Sequence, residues 1–201
     1  MRDLVRLCLC LLLALDAAWA DDPAAAAVLA EINLARTQPR TYAQILAADL
    51  SRTRSASVRS ATQEAIRHLE RMAPVPPLQE SAGLTAAAAL HVAQSGPPGT
   101  RGHRGAGFSS PWSRMDRYGR RSGTGAENIC YGTRSARAIV ITQLVDAGVR
   151  SRGHRKNLLN PALAVAGVAV GPHAGYGTMC VIDFAAFFVE HPPRGRPLAA
   201  Q

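Results

Sequence analysis

Residues 162–190 read ALAVAGVAVGPHAGYGTMCVIDFAAFFVE, two apolar runs separated by a short polar break. Valine, isoleucine and phenylalanine concentrated in runs this short, with glycine and proline at the boundary, are the composition of β-strands. The break at 173–177, HAGYG, is a hairpin connection, which makes the two strands antiparallel neighbours. Within the second run Asp183 alternates to the face opposite Cys180 and Ile182, and a carboxylate there calls for an arginine or a backbone amide. No stretch upstream has this character at this length.

Working backwards, the first two-thirds is helical. Asp22 caps and Pro23 opens a first helix over AAAAVLAEINLARTQ, with Pro39 beyond its end. A second short helix covers TYAQILAADL. The segment 51–73 is polar and then helical, a surface insertion carrying an amphipathic turn pair. An alanine-rich helix follows and stops at Gly96, with His91 half-buried on it. Residues 97–112 are glycine and proline punctuation, and Ser110-Pro111 opens another short helix. GAENICYG at 125–132 is extended, and helical spacing returns through Ile139, Val140, Leu144 and Val145. Helices first and an antiparallel sheet completed near the end predict an α+β fold, with helices packed on a small antiparallel sheet.

Residues 1–20 stand outside that fold. A basic start, an apolar run and the small-x-small site AWA describe a signal peptide cleaved near Ala20, placing the protein in the periplasm or outside the cell. The run is too short to span a bilayer comfortably, and the mature chain has no transmembrane segment. The formal net charge is +9, almost all of it from arginine, since Lys156 is the single lysine. Acidic envelope polymer or lipid suits such a surface; nucleic acid does not suit an exported protein whose arginines are scattered. The tail, residues 191–201, reads as flexible. Oligomeric state has no signature. Of the four cysteines, Cys130 and Cys180 survive cleavage, and an even pair in an oxidising compartment predicts a disulfide. It would close a loop of about 50 residues, with a ceiling of roughly 4 kcal/mol in the chain-entropy model. The alternative is two buried free thiols.

Three segments set a titratable group among small or basic neighbours: RGHRG with His103, GAENICYG with Glu127, and RGHRK with His154. Two imidazoles and a carboxylate from separate segments can hold a divalent ion with an open position, or form a set in which the carboxylate fixes a tautomer. No two of them share a tight metal spacing. The order of motifs is more specific than any one of them. A histidine in a glycine loop, then AEN, then a helix, then GHRKNLLNP and AGVAVG, resembles the CAP superfamily, the SCP-like extracellular domain shared by cysteine-rich secretory proteins, antigen 5 and pathogenesis-related 1 proteins, in its bacterial secreted branch. The resemblance spans residues 30–185 and implies one domain over 21–190, with 51–73 inserted, built as a three-layer α-β-α sandwich with a surface cleft.

The same resemblance implies a cleft lined by two histidines and two glutamates that holds zinc or another divalent cation. His103 and His154 match the histidines and become the metal ligands, weakly holding the ion. Glu127 matches the first glutamate, lines the cleft and is the one candidate for a general base. The second glutamate has no match; Asp146 is the nearest acid by order and the remaining cleft-lining candidate, with a shorter reach. The reading that follows is a secreted binding module for a divalent metal or small ligand, with enzyme status open. The alternative is a metal-dependent hydrolase acting on extracytoplasmic material, which no nucleophile elbow supports.

Overall fold

The computed structural model describes residues 22–51 and 53–192; the leader at 1–20 and residues 193–201 of the tail lie outside them. The helices start where side chains can cap them. Asp22 accepts the Ala24 amide at the head of α1 (Pro23–Thr37), and Pro39 opens α2 (Pro39–Leu50) rather than lying idle past α1. Segment 51–73 holds one continuous helix, α3 (Ala56–Arg71), in place of a turn pair. Ser81 caps α4 (Ala82–Ser95), and Ser110 and Ser113 form a reciprocal box at α5 (Pro111–Met115). α6 (Ala136–Val145) and α7 (Gly153–Leu158) follow.

Four strands make one sheet in the order β1 (Gln79–Glu80), β3 (Val165–His173), β4 (Gly177–Glu190) and β2 (Gly119–Tyr131). β3 and β4 form the expected hairpin, and β4 pairs antiparallel with β2. The sheet is mixed rather than wholly antiparallel, because the two-residue β1 joins β3 in parallel. So short a strand has no sequence signature of its own.

Alternation along β4 builds the three layers. Cys180, Ile182 and Phe184 face the larger core with α1, α2, α3 and α6, where Val28, Ile32, Tyr42, Leu46, Leu69 and Leu144 are buried. Met179, Val181 and Ala185 face α4 and α5 on the other side. Each fully buried large apolar chain adds about 1.5–3 kcal/mol, so these two faces supply most of the cohesion. Gly167 lets α4 sit directly on the sheet: a Cβ there would lie 2.0 Å from the Thr85 nitrogen. Arg36, fully buried on α1, donates to the carbonyls of Pro76, Leu158, Asn160 and Leu163, tying α1 to the end of α7 and the entry to β3.

The structure shows no disulfide between the expected pair. Cys130 and Cys180 are directly opposite in the β2–β4 register, yet both are free and buried. The Cys130 thiol lies 3.5 Å from Thr133 Oγ1. Burial pushes both thiols up, which disfavours the thiolate that oxidation needs. Among the described residues no helix is long and apolar enough to cross a membrane.

Candidate functional site

β2 is an edge strand of the sheet, and two of its consecutive residues organise the site. Neighbours on a strand point to opposite faces, so Glu127 turns toward α4 and α5 while Asn128 turns toward α6 and α7. Each collects one of the two histidines.

On the Glu127 side, the loop after α4 delivers His103. Gly102 takes φ 95°, a left-handed conformation that favours glycine. The loop is pinned on either side of that bend: the Gly102 amide donates to the Tyr131 hydroxyl, and His91 Nε2 donates to the Gly102 carbonyl. His91 is fully buried, not half-buried, and its burial pushes its pKa down, which keeps it neutral. His103 Nδ1 then meets Glu127 Oε1 at 2.7 Å. The second carboxylate oxygen accepts from Arg114 on α5 at 2.5 Å, and Arg114 also donates to the carbonyls of His103 and Ser109. Arg114 is fully buried and Glu127 nearly so, whereas the His103 side chain is 53% exposed. A buried ion pair thus holds up an exposed imidazole.

On the Asn128 side, α6 ends at Asp146 with φ 52°, a left-handed residue that an aspartate tolerates better than most. That turn aims its carboxylate at the first turn of α7. Oδ2 accepts the His154 amide at 2.9 Å, one of the helix's otherwise unpaired N–H groups, and Oδ1 accepts His154 Nδ1 at 2.7 Å. Asn128 donates to Gln143 on α6 and to the His154 carbonyl, and Asn157 donates to Asn128. Glu64 on α3 takes Arg152 and Arg155, which flank His154, and Arg155 reaches back to the carbonyls of Ala61, Leu144 and Val145.

All four expected site residues are therefore engaged, as two imidazole–carboxylate pairs. In both, a carboxylate accepts a hydrogen bond from Nδ1, and neither Nε2 has a hydrogen bond within the described protein. A carboxylate bonded to Nδ1 in this way fixes the direction of an imidazole for ligation through Nε2. Among the described residues they do not make a metal site of three or more histidine, cysteine or acidic ligands.

The sequence reading missed Arg114 and Gln143, and it misread Asp183; Asn157, expected to bond backbone carbonyls, bonds the Asn128 side chain instead. Asp183 lies opposite Glu127 in the β2–β4 register and is fully buried, and neither oxygen meets an arginine or a backbone amide. Burial, with the Glu127 charge beside it, holds its carboxyl well above the usual range, which favours the neutral acid. Asn128, a polar residue inside an apolar extended run, was the one available signal for the amide chain.

The model of the cysteine-rich secretory protein family, CAP, matches residues 29–184. Among solved structures, an extracellular protein containing an SCP domain from Bacillus anthracis str. Ames is similar at TM-score 0.45 and 19% identity, over 64% of this chain and 40% of that one. An outer surface protein from Borrelia burgdorferi is similar at TM-score 0.47 and 16% identity, over 64% of this chain and 87% of that one. The chain thus spans well under half the length of the Bacillus protein. No curated protein matches the sequence.

Proposed function

The chain belongs to the cysteine-rich secretory protein (CAP) family, and on that premise we propose that it is an exported binding module whose ligand is taken by His103 and His154. The observation that carries this is the shared orientation of the pairs: Glu127 and Asp146 each occupy Nδ1, leaving both Nε2 atoms without a partner in the protein. Export is supported by the leader composition of residues 1–20.

Two imidazoles, each backed by a carboxylate, are donors of the type that a divalent cation such as zinc takes. His103 and His154 would hold it; when bound, it would supply a Lewis-acidic position for an oxygen of the ligand. Glu127 and Asp146 fix tautomer and ring direction. With only two protein ligands, such an ion is weakly held. Hydrolysis is the poorer reading, because Glu127, the one candidate base, is buried with one oxygen on His103 and the other on Arg114. A general base must reach the proton it abstracts.

Calorimetric titration of zinc into the full chain tests the proposal. The expected result is saturable binding that is lost in both His103→Ala and His154→Ala while thermal stability changes little. Zinc binding that survives either substitution would refute this assignment of ligands.

A further inference from the structure

A hollow of about 400 Å³ lies where α3 meets α7, lined by Glu64, Arg67, His68, Arg71, Met72 and Arg155. The charge around it is unbalanced. Glu64 supplies the one carboxylate, and both its oxygens are already taken: Oε1 by Arg155 and Arg152, Oε2 by Arg152. Arg67 and Arg71 make no ion pair or hydrogen bond in the described structure. They stand one helical turn apart on the same face of α3, an arrangement of like charges that weakens a helix. A second hollow of about 560 Å³ shares Arg71 and Met72 and adds Arg40, so the positive lining continues past the end of α3.

Helix-end electrostatics explain part of this. His68 and Arg71 lie in the last turn of α3, where cationic side chains complement the helix dipole. That does not explain Arg67, or why the excess borders a concavity and not a convex face. Partial burial, and then the neighbouring Arg155, push the His68 imidazole down, against the opposing charge of Glu64.

We infer that this hollow is an anion site that takes a phosphate group through Arg67 and Arg71, separate from the imidazole pairs. Three guanidinium groups set against one carboxylate leave an excess that matches a phosphate carrying two negative charges, and arginine forks suit its oxygens. Arg155 forms the inner wall: its position is fixed by carbonyls of Ala61, Leu144 and Val145, so the guanidinium is already in place before a ligand arrives. The phosphate could belong to a free ester or to a lipid headgroup.

Calorimetry with inorganic pyrophosphate, at low ionic strength, tests the site. The comparison is among the full chain, Arg67→Gln/Arg71→Gln, and Arg117→Gln/Arg120→Gln, which removes equal charge elsewhere on the surface. Arg67 and Arg71 are exposed, so their replacement keeps the fold, which a thermal melt verifies. The expected result is binding weakened about tenfold or more in the first variant and by less than about twofold in the second. Equal weakening in both, or no binding by the full chain, would overturn the site. Sedimentation with phosphatidylcholine vesicles containing phosphatidylglycerol distinguishes the source. Retention lost only in Arg67→Gln/Arg71→Gln assigns a lipid headgroup. If pyrophosphate shows the expected pattern and retention does not, a free phosphate ester is assigned.

Discussion

The two imidazole–carboxylate pairs look alike at the contact atoms and differ in everything behind them. His154 is carried by a helix whose first turn is bonded twice by Asp146, whose carbonyl is held by Asn128, and whose flanking arginines are drawn to Glu64. His103 hangs from a loop, more than half exposed, and its rigidity is borrowed from a buried Arg114–Glu127 ion pair. One side chain is positioned by secondary structure and polar bonds at its own backbone. The other is positioned by a charge pair beneath it. The same Nδ1–carboxylate contact can therefore rest on different physics, and the two halves should fail differently.

The largest effect should come from breaking the charge pair. Arg114→Met leaves Glu127 buried beside Asp183 with no cation, at a cost of about 3–5 kcal/mol, and should loosen the 97–110 loop. Chemical denaturation and amide exchange of that loop measure both; a loss under about 1 kcal/mol would show that the pair is not what supports His103.

On the other side, Asp146→Ala removes two bonds to His154 and puts alanine in a left-handed turn, and should cost about 2–4 kcal/mol. Asp146→Asn should recover the turn and one bond, and hence part of the loss. If the two variants are equally destabilised, the carboxylate's charge matters more than its shape, and the contrast between the halves weakens.

Asp183 sharpens the comparison through pH. Its folded carboxyl is raised, so the folded protein keeps a proton that the unfolded chain gives up near pH 4. Stability from this group is therefore greatest below pH 4 and falls as pH rises toward its folded value. Asp183→Asn, which cannot ionise, should be more stable than the parent by about 1–3 kcal/mol at pH 8, with the advantage gone at pH 3. Melting curves across pH measure this; an advantage that grows toward acid would contradict a neutral Asp183.

The smallest effect belongs to Glu64. The guanidinium of Arg152, then that of Arg155, holds its carboxyl down at about 2. That contribution is present above pH 4.5 and is lost as pH falls toward 2. Solvent screens so exposed a pair, so Glu64→Gln should cost under about 1 kcal/mol at pH 7, and nothing at pH 2. A larger cost at neutral pH would mean that α3 supports His154 more firmly than its exposure suggests.

How much of this was legible follows from how far each signal extends along the chain. The capped helices and the 162–190 hairpin were readable because capping, periodicity and turn chemistry act within a few residues, and Asp22, Ser110 and Pro111 all do what their positions imply. His103, Glu127 and His154 were readable as an ordered set of motifs. Asp146 was legible only as the nearest acid in the chain; the left-handed turn that aims it shows only in three dimensions.

By composition, periodicity and motif order, the sequence determined an α+β chain with His103, Glu127 and His154 as an ordered set of site candidates. Only the tertiary structure decided that Glu127 and Asn128 part the site across the edge strand β2, that Arg114 lies beneath one pair, and that Asp183 is sealed opposite Glu127. It decided as well that Cys130 and Cys180 stand opposite each other in the β2–β4 register and are buried. The physical reason is that register, burial and ion pairing depend on residues dozens of positions apart. The free energy of a buried charge is set by whichever group the fold brings beside it, and no local pattern in the chain encodes that neighbour.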